Sequence, residues 1–219
     1  MPDRAARPRV AGLYAVTPDT ADTPWLTAAV AAAVRGGAGT VQYRNKSASV
    51  ALRHRQAAAL AALLRDTPAQ LIVNDDPALC LEVAAAGVHL GELDGGIVAA
   101  RARVGPDAVI GVSCYNALGL ARAAAAAGAD YVAFGSFYAS TVKPDARRAD
   151  AALLREARAL HLPIVAIGGI TAEHAPALRA AGADAIAVIS ALFSAGDEQA
   201  IEAAARVLSA AFGVQGQSS

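Results

Sequence analysis

Little in this chain of 219 residues could serve as a covalent staple or a metal cage: it holds two cysteines, Cys80 and Cys114, and four histidines. Two such cysteines make neither a disulfide framework nor a zinc pattern, so a reducing, cytoplasmic setting is expected. Cys114 has no sequence-adjacent base and reads as a small apolar filler rather than a nucleophile. An excess of one charge is lacking too. The 19 basic residues balance the 19 acidic ones, so no global field draws the chain to nucleic acid or to an anionic membrane. An anionic ligand would have to be held by a local cluster.

Long apolar runs are absent as well: none reaches the roughly eighteen residues of a membrane span. The opening stretch, MPDRAARPRVAGLYAV, sets arginines before apolar residues. That apolar stretch is short and runs into Thr-Pro-Asp rather than a small-residue cleavage site. It reads as a disordered tail over 1–8 followed by a strand, with a second tail over 213–219. No linker or low-complexity block interrupts the rest, so 9–212 is expected to form one domain. Folding at this length removes roughly 70% of the unfolded chain's surface from water, enough for a core without staples.

What the chain does have is rhythm. Short apolar or β-branched runs predict strands over 10–16, 40–43, 71–73, 87–90, 109–112, 131–134, 164–167 and 185–189. Segments rich in Ala and Leu, the strongest helix formers, predict helices near 25–35, 48–65, 77–85, 96–103, 116–127, 149–160, 173–181 and 197–211. Gly36-Gly37, Gly87, Gly128 and Gly182 stand where helices should stop. The phrases AAAG before VHLG, AAAGAD before YVAFG and AAGAD before AIAVIS repeat one half of a βα unit. The strands are apolar nearly throughout, as in a parallel sheet covered on both faces. Eight strands, each followed by a helix, favour an α/β fold of the closed (β/α)₈ TIM-barrel type over an open doubly wound sheet.

Such barrels place their active sites where the strands end. The ends offer Gln42-Tyr43-Arg44-Asn45-Lys46, Asn74-Asp75-Asp76, Gly91-Glu92-Leu93-Asp94, Ser113, Ser140-Thr141-Val142-Lys143, Gly168-Gly169 and Ile189-Ser190. Gly168-Gly169 and Ile189-Ser190, after strands seven and eight, suit a phosphate site in which backbone N–H groups approach the anion. A tight turn needing positive φ explains the same glycines. Asp75 and Asp94, with Arg44, Lys46 and Lys143 on the same rim, suit Mg²⁺ and a diphosphate, because Mg²⁺ is commonly held by one or two carboxylates plus phosphate oxygens. Rim salt bridges are the plainer alternative. Asp76 before Pro77 reads as a helix cap. His89 reads as packed or backbone-bonded, and His54, His161 and His174 as lying in or beside helices away from the rim. Without a nucleophile pair, acyl transfer and hydrolysis are unattractive.

QYRNK, VNDD, VHLGELD, GVSCYN, DYVAFGSFYASTVKP, VAIGGI and GADAIAVISAL, in this order and spacing, resemble the thiamine phosphate synthase family over roughly residues 10–195. The resemblance implies a transferase that joins a pyrimidine diphosphate to a thiazole phosphate with one Mg²⁺ per subunit. By it, Gln42, Tyr43, Arg44, Asn45, Lys46 and Asn74 contact the pyrimidine diphosphate, with Ser113 at the pyrimidine end and Lys143 on the diphosphate. Arg44, Lys46, Ser113 and Lys143 carry the catalysis, and Asp75 and Asp94 hold the metal. Ser140, Thr141, Val142, Gly169, Ile189 and Ser190 bind the thiazole phosphate. The partners implied are small molecules, not nucleic acid or membrane, and assembly into a homo-oligomer is left open.

The chain departs from the family pattern at several places. Val142 stands where Thr is usual, removing a hydroxyl whose bond to a phosphate is worth roughly 1.5–3 kcal/mol; Ser140 and Thr141 are the neighbouring hydroxyls. Glu92 replaces a common Gln, Asn45 a usual acid, and Ser136 and Ala139 two prolines. The rival readings are a thiazole tautomerase paralogue, a phosphosugar isomerase or lyase on the same barrel, and a non-catalytic metabolite-binding barrel.

Overall fold

A computed structural model describes residues 10–91, 96–139 and 148–213. Its strands are β1 (Gly12–Val16), β2 (Ala38–Tyr43), β3 (Gln70–Asn74), β4 (Gly87–Leu90), β5 (Val109–Tyr115), β6 (Tyr131–Phe134), β7 (Ile164–Ile167) and β8 (Ala185–Val188). Each pairs in parallel with the next, and β8 pairs with β1 from Gly12 opposite Ala185 to Ala15 opposite Val188. The sheet is therefore a closed barrel with no free edge.

Around it run α1 (Thr23–Arg35), α2 (Val50–Leu64), α3 (Pro77–Glu82), α4 (Ile97–Val104), α5 (Leu118–Ala126), α6 (Ala151–Ala157), α7 (Ala175–Ala181), α8 (Ser190–Phe193) and α9 (Glu198–Phe212). Several start on a side chain that accepts an otherwise unpartnered N–H. Asp22, Ser49, Asp76, Asp150 and Asp197 do this for α1, α2, α3, α6 and α9. The cap predicted at Asp76 is present, accepting from the Leu79 N–H at 2.9 Å.

The predicted elements are all present, with shifted ends. β5 continues to Tyr115, and α3 stops at Glu82 rather than near residue 85. Gly87 is no helix stop: it opens β4, where a Cβ would run into the Val109 carbonyl. The helix expected over 149–160 is α6 followed by a 3₁₀ turn at Arg158–Leu160. α8, at four residues, is too short for periodicity to reveal. Segments 1–8 and 214–219 lie outside the described residues. Gly213, expected to open the second tail, caps α9 at φ 78°.

Successive strand residues face opposite sides, and this sorts the core in two. Leu13, Val41, Leu71, Val88, Ile110, Val132, Ile164 and Ile186 pack outward against the helices. Tyr14, Ile72, Val109, Tyr131, Val165 and Ala185 fill the barrel. Tyr14 and Tyr131 are its two largest fully buried occupants. They fit because Gly111 leaves room: a Cβ there would collide with the Tyr131 ring. Overpacking of this kind costs roughly 1–3 kcal/mol. Gly111→Ala is therefore expected to lower the unfolding free energy from urea titration by that amount; an unchanged value would show that the Tyr131 ring is not confined there.

Candidate active site

The rim begins with two short connections that hold the β2 end in place. The Thr17 hydroxyl, fully buried, donates to the Arg44 carbonyl and accepts from the Arg44 N–H, both at 2.9 Å. Two residues on, the Asp19 carboxylate accepts from Arg44 Nη1 at 3.2 Å and from the Lys46 N–H at 3.1 Å. An exposed ion pair adds little stability. Its effect here is to orient: one carboxylate sets both the guanidinium and the backbone leading to the lysine.

Lys46 then reaches the next strand end, with Nζ 3.3 Å from the Asp75 carboxylate. Asp75 has φ 61°, in the left-handed region, and its N–H donates to the His89 carbonyl at 2.8 Å. A side chain held in that region costs of order 1–3 kcal/mol, and such strain gathers at functional sites. Arg44, Lys46 and Asp75 thus form one charged group over β2 and β3. A carboxylate on the same rim as these cations is a fitting ligand for Mg²⁺ shared with a diphosphate. Asp94, the other predicted metal ligand, lies outside the described residues.

Below the charged group the barrel interior turns polar. Gln42 Nε2 donates to the Tyr14 hydroxyl at 2.9 Å, and the Tyr14 and Tyr131 hydroxyls are 2.8 Å apart. His89 Nδ1 lies 2.8 Å from the Tyr131 hydroxyl and Nε2 lies 2.9 Å from Ser113 Oγ. The His89 ring stacks on Tyr131, with centroids 5.6 Å apart. Burial raises both tyrosine pKa values well above the ordinary range. It also pushes the imidazole down to about 4, only partly opposed by the Asp75 charge. His89 is thus packed, as expected, but bonded through side chains rather than backbone.

Opposite, Gly169 at the end of β7 has φ 62° and lies so close to the backbone of Tyr138 and Ala139 that a Cβ would overlap it. The positive-φ turn and the close approach already require glycine there. Ile189 packs on the barrel interior, and Ser190 starts α8, exposed on the rim side. His174 differs from expectation: its ring stacks on Tyr138 from the β6 loop, with centroids 3.5 Å apart and planes 8° apart. Cys114 is fully buried, its thiol pushed up to about 12 by desolvation.

Two predicted ligand contacts have side chains bonded within the protein. The Tyr43 hydroxyl donates to Gln56 Oε1 on α2 at 2.9 Å, with the ring buried among outward-facing residues. Asn45 Nδ2 donates to Thr20 O and to Gln56 Oε1, at 2.6 and 2.9 Å. Both fasten the end of β2 and the residues just after it to α2. Asn74 ends β3 opposite His89. Ser140, Thr141, Val142 and Lys143 lie outside the described residues. Residue types alone missed Thr17 and Asp19, although they directly follow the first predicted strand and the strand-end rule covers them. They also missed Tyr14 and Tyr131, which read as ordinary members of apolar strands.

The buried imidazole makes stability depend on pH. Above the unfolded value of 6.5 the ring is neutral in both states and its contribution is complete. As pH falls from 6.5 towards about 4, the unfolded chain binds a proton that the folded one refuses, so stability is lost. The loss attributable to this ring is roughly 3 kcal/mol. Urea titrations of the wild type and His89→Gln should therefore converge as pH drops through that window; a gap that stays constant would contradict the neutral, buried ring.

The thiamine monophosphate synthase family model matches residues 13–192, nearly the whole barrel. A thiamine-phosphate synthase of Methylobacillus flagellatus is 55% identical over 203 residues, covering 93% of this chain and 96% of that relative. One from Thiobacillus denitrificans is 58% identical over 187 residues, 85% of this chain and 89% of its own. The solved thiamine phosphate pyrophosphorylase of Pyrococcus furiosus superposes with a TM-score of 0.81 at 33% identity, covering 92% of this chain and 95% of that one. With the barrel closed and its strand ends assembled as described, the chain belongs to the thiamine monophosphate synthase family.

Proposed function

We propose that this protein is a thiamine-phosphate synthase. It joins 4-amino-2-methyl-5-(diphosphooxymethyl)pyrimidine to 4-methyl-5-(2-phosphooxyethyl)thiazole, releasing diphosphate, or to its carboxylated tautomer, releasing diphosphate and carbon dioxide. The observation that carries this reading is the charged group at the β2 and β3 ends, where Lys46 Nζ stands 3.3 Å from the Asp75 carboxylate. Asp19, which accepts from the Lys46 N–H, also holds the Arg44 guanidinium. A phosphosugar isomerase or a tautomerase acting on the thiazole alone leaves this group without a task. Relatives at 55% and 58% identity carry the synthase name.

The chemistry follows from what these residues do. The bond between the pyrimidine methylene carbon and the diphosphate oxygen breaks, and its electron pair leaves with the diphosphate. The methylene cation left behind is stabilised by the ring's amino group, and the thiazole nitrogen lone pair then forms the new C–N bond. No protein nucleophile is required. Charge on the leaving group must be neutralised and the two rings aligned. Arg44 and Lys46, with Lys143, supply the fixed positive charge. Asp75 and Asp94 are the residues that would hold Mg²⁺, whose charge would further screen the diphosphate. Gly169, Ile189 and Ser190, with Ser140, Thr141 and Val142, are assigned to the thiazole phosphate, at the place where such barrels bind phosphate.

The substrates are small molecules, and among the described residues no helix is long and apolar enough to cross a membrane. Cys80 and Cys114 are buried free thiols, which fits a reaction in the cytoplasm. Mixing both heterocyclic substrates with Mg²⁺ is expected to yield thiamine phosphate and diphosphate, and excess EDTA to abolish the yield. Folded protein that turns over neither substrate pair would refute the assignment, while conversion of the thiazole phosphate alone would favour the tautomerase.

A further inference from the structure

Four hydrogen bonds link five side chains in a single line through the barrel: Gln42 to Tyr14, Tyr14 to Tyr131, Tyr131 to His89 and His89 to Ser113. Gln42, Tyr14, Tyr131 and His89 are buried; Ser113, at the far end, is only partly covered. Counting protons along the line gives it a direction. Tyr14 accepts from the Gln42 amide, so its own proton has only the Tyr131 oxygen to go to among its bonds in the described residues. Tyr131, having accepted, has only His89 Nδ1 left for its proton among its bonds in the described residues. A neutral imidazole that accepts at Nδ1 carries its hydrogen on Nε2, which then donates to Ser113 Oγ. Running the Tyr14–Tyr131 bond the other way while Gln42 still donates would strand the Tyr14 proton in the barrel, the expensive outcome for a buried hydroxyl.

We propose that this line is a one-way relay of hydrogen bonds that fixes His89 as its Nε2–H tautomer and leaves the Ser113 hydroxyl proton free for an acceptor atom of the pyrimidine diphosphate. Tyr14, Tyr131 and His89 are then positioning residues for Ser113. Each donor in the chain is polarised by the one behind it, which strengthens the last donor of all. Gly111, bare so that the Tyr131 ring can lie over it, belongs to the same device. The role assigned to Ser113 rests on the synthase reading; the direction of the relay does not.

The direction is read first, on the full-length, ligand-free protein labelled with ¹⁵N-histidine. The His89 signals are identified by their loss in His89→Gln. Long-range ¹H–¹⁵N correlation is expected to show Nε2 protonated and Nδ1 as a bare acceptor. A protonated Nδ1 would mean that the Gln42 amide is reversed and every proton in the line with it, and would overturn the proposal. The role is read next by a double-mutant cycle. Tyr131→Phe should reduce kcat/KM for the pyrimidine diphosphate by about tenfold, with KM for the thiazole phosphate unchanged, and should cost nothing further in a Ser113→Ala background. Full additivity of the two losses would show that Tyr131 acts by packing alone. If Tyr131→Phe does not fold, Tyr14→Phe serves in the same cycle. A wild type that fails to make thiamine phosphate would instead reject the synthase reading and leave the tautomer result standing.

Discussion

The return of β8 onto β1 is the constraint from which the rest of this molecule follows. Gly12 to Ala15 pair with Ala185 to Val188, so that all eight parallel strands finish on one rim. Arg44, Asp75, Ser113, Gly169 and Ser190 come from distant parts of the chain, and only ring closure makes them neighbours of one opening. Alternation along each strand does the second half of the work. It sends Tyr43 out against α2 while Gln42, one residue earlier, turns in to meet Tyr14. A loop residue such as Asn45 is then free to act as a fastener.

The barrel interior is consequently two things at once. Its lower part is close-packed and apolar, with Val109, Val165 and Ala185 among its members. Through it runs a polar line that ends on the rim at Ser113. Buried polar groups cost stability unless each finds a partner, and here each ring nitrogen and each phenol has one. Glycine is what makes this possible: Gly111 gives space to the Tyr131 ring. The charged group above it is held by a different device, in which Thr17 and Asp19 anchor Arg44 and Lys46. Rigid support beneath and beside the cations suits a reaction whose demand is fixed positive charge at a leaving group.

Much of this was legible before any coordinates. Eight apolar runs and the glycines between alanine-rich helices were enough for the barrel, because a parallel strand buried on both faces has little choice of composition. The strand-end rule singles out Arg44, Lys46, Asp75 and Ser113, and the structure sets them at or near the ends of β2, β3 and β5. The side-chain partners of Tyr43 and Asn45 were not legible, because membership of a motif does not say which way a side chain points; for Tyr43, a count of alternate residues from Gln42 does so. α8 was invisible, since four residues carry no period. Tyr14 and Tyr131 were invisible for a deeper reason. Their partnership spans 117 positions, and nothing local distinguishes a tyrosine that bonds across a barrel from one that merely fills it.

The proposed synthase needs two anions on one rim in different places: diphosphate over β2 and β3, and the thiazole-derived phosphate over β7 and β8. A crystal structure of the protein with thiamine phosphate, diphosphate and Mg²⁺ tests this directly. Diphosphate is expected in contact with Arg44 and Lys46, the metal on Asp75, and the ester phosphate beside Gly169 and Ser190. Diphosphate bound away from Arg44 and Lys46, or a metal that leaves Asp75 untouched, would contradict it.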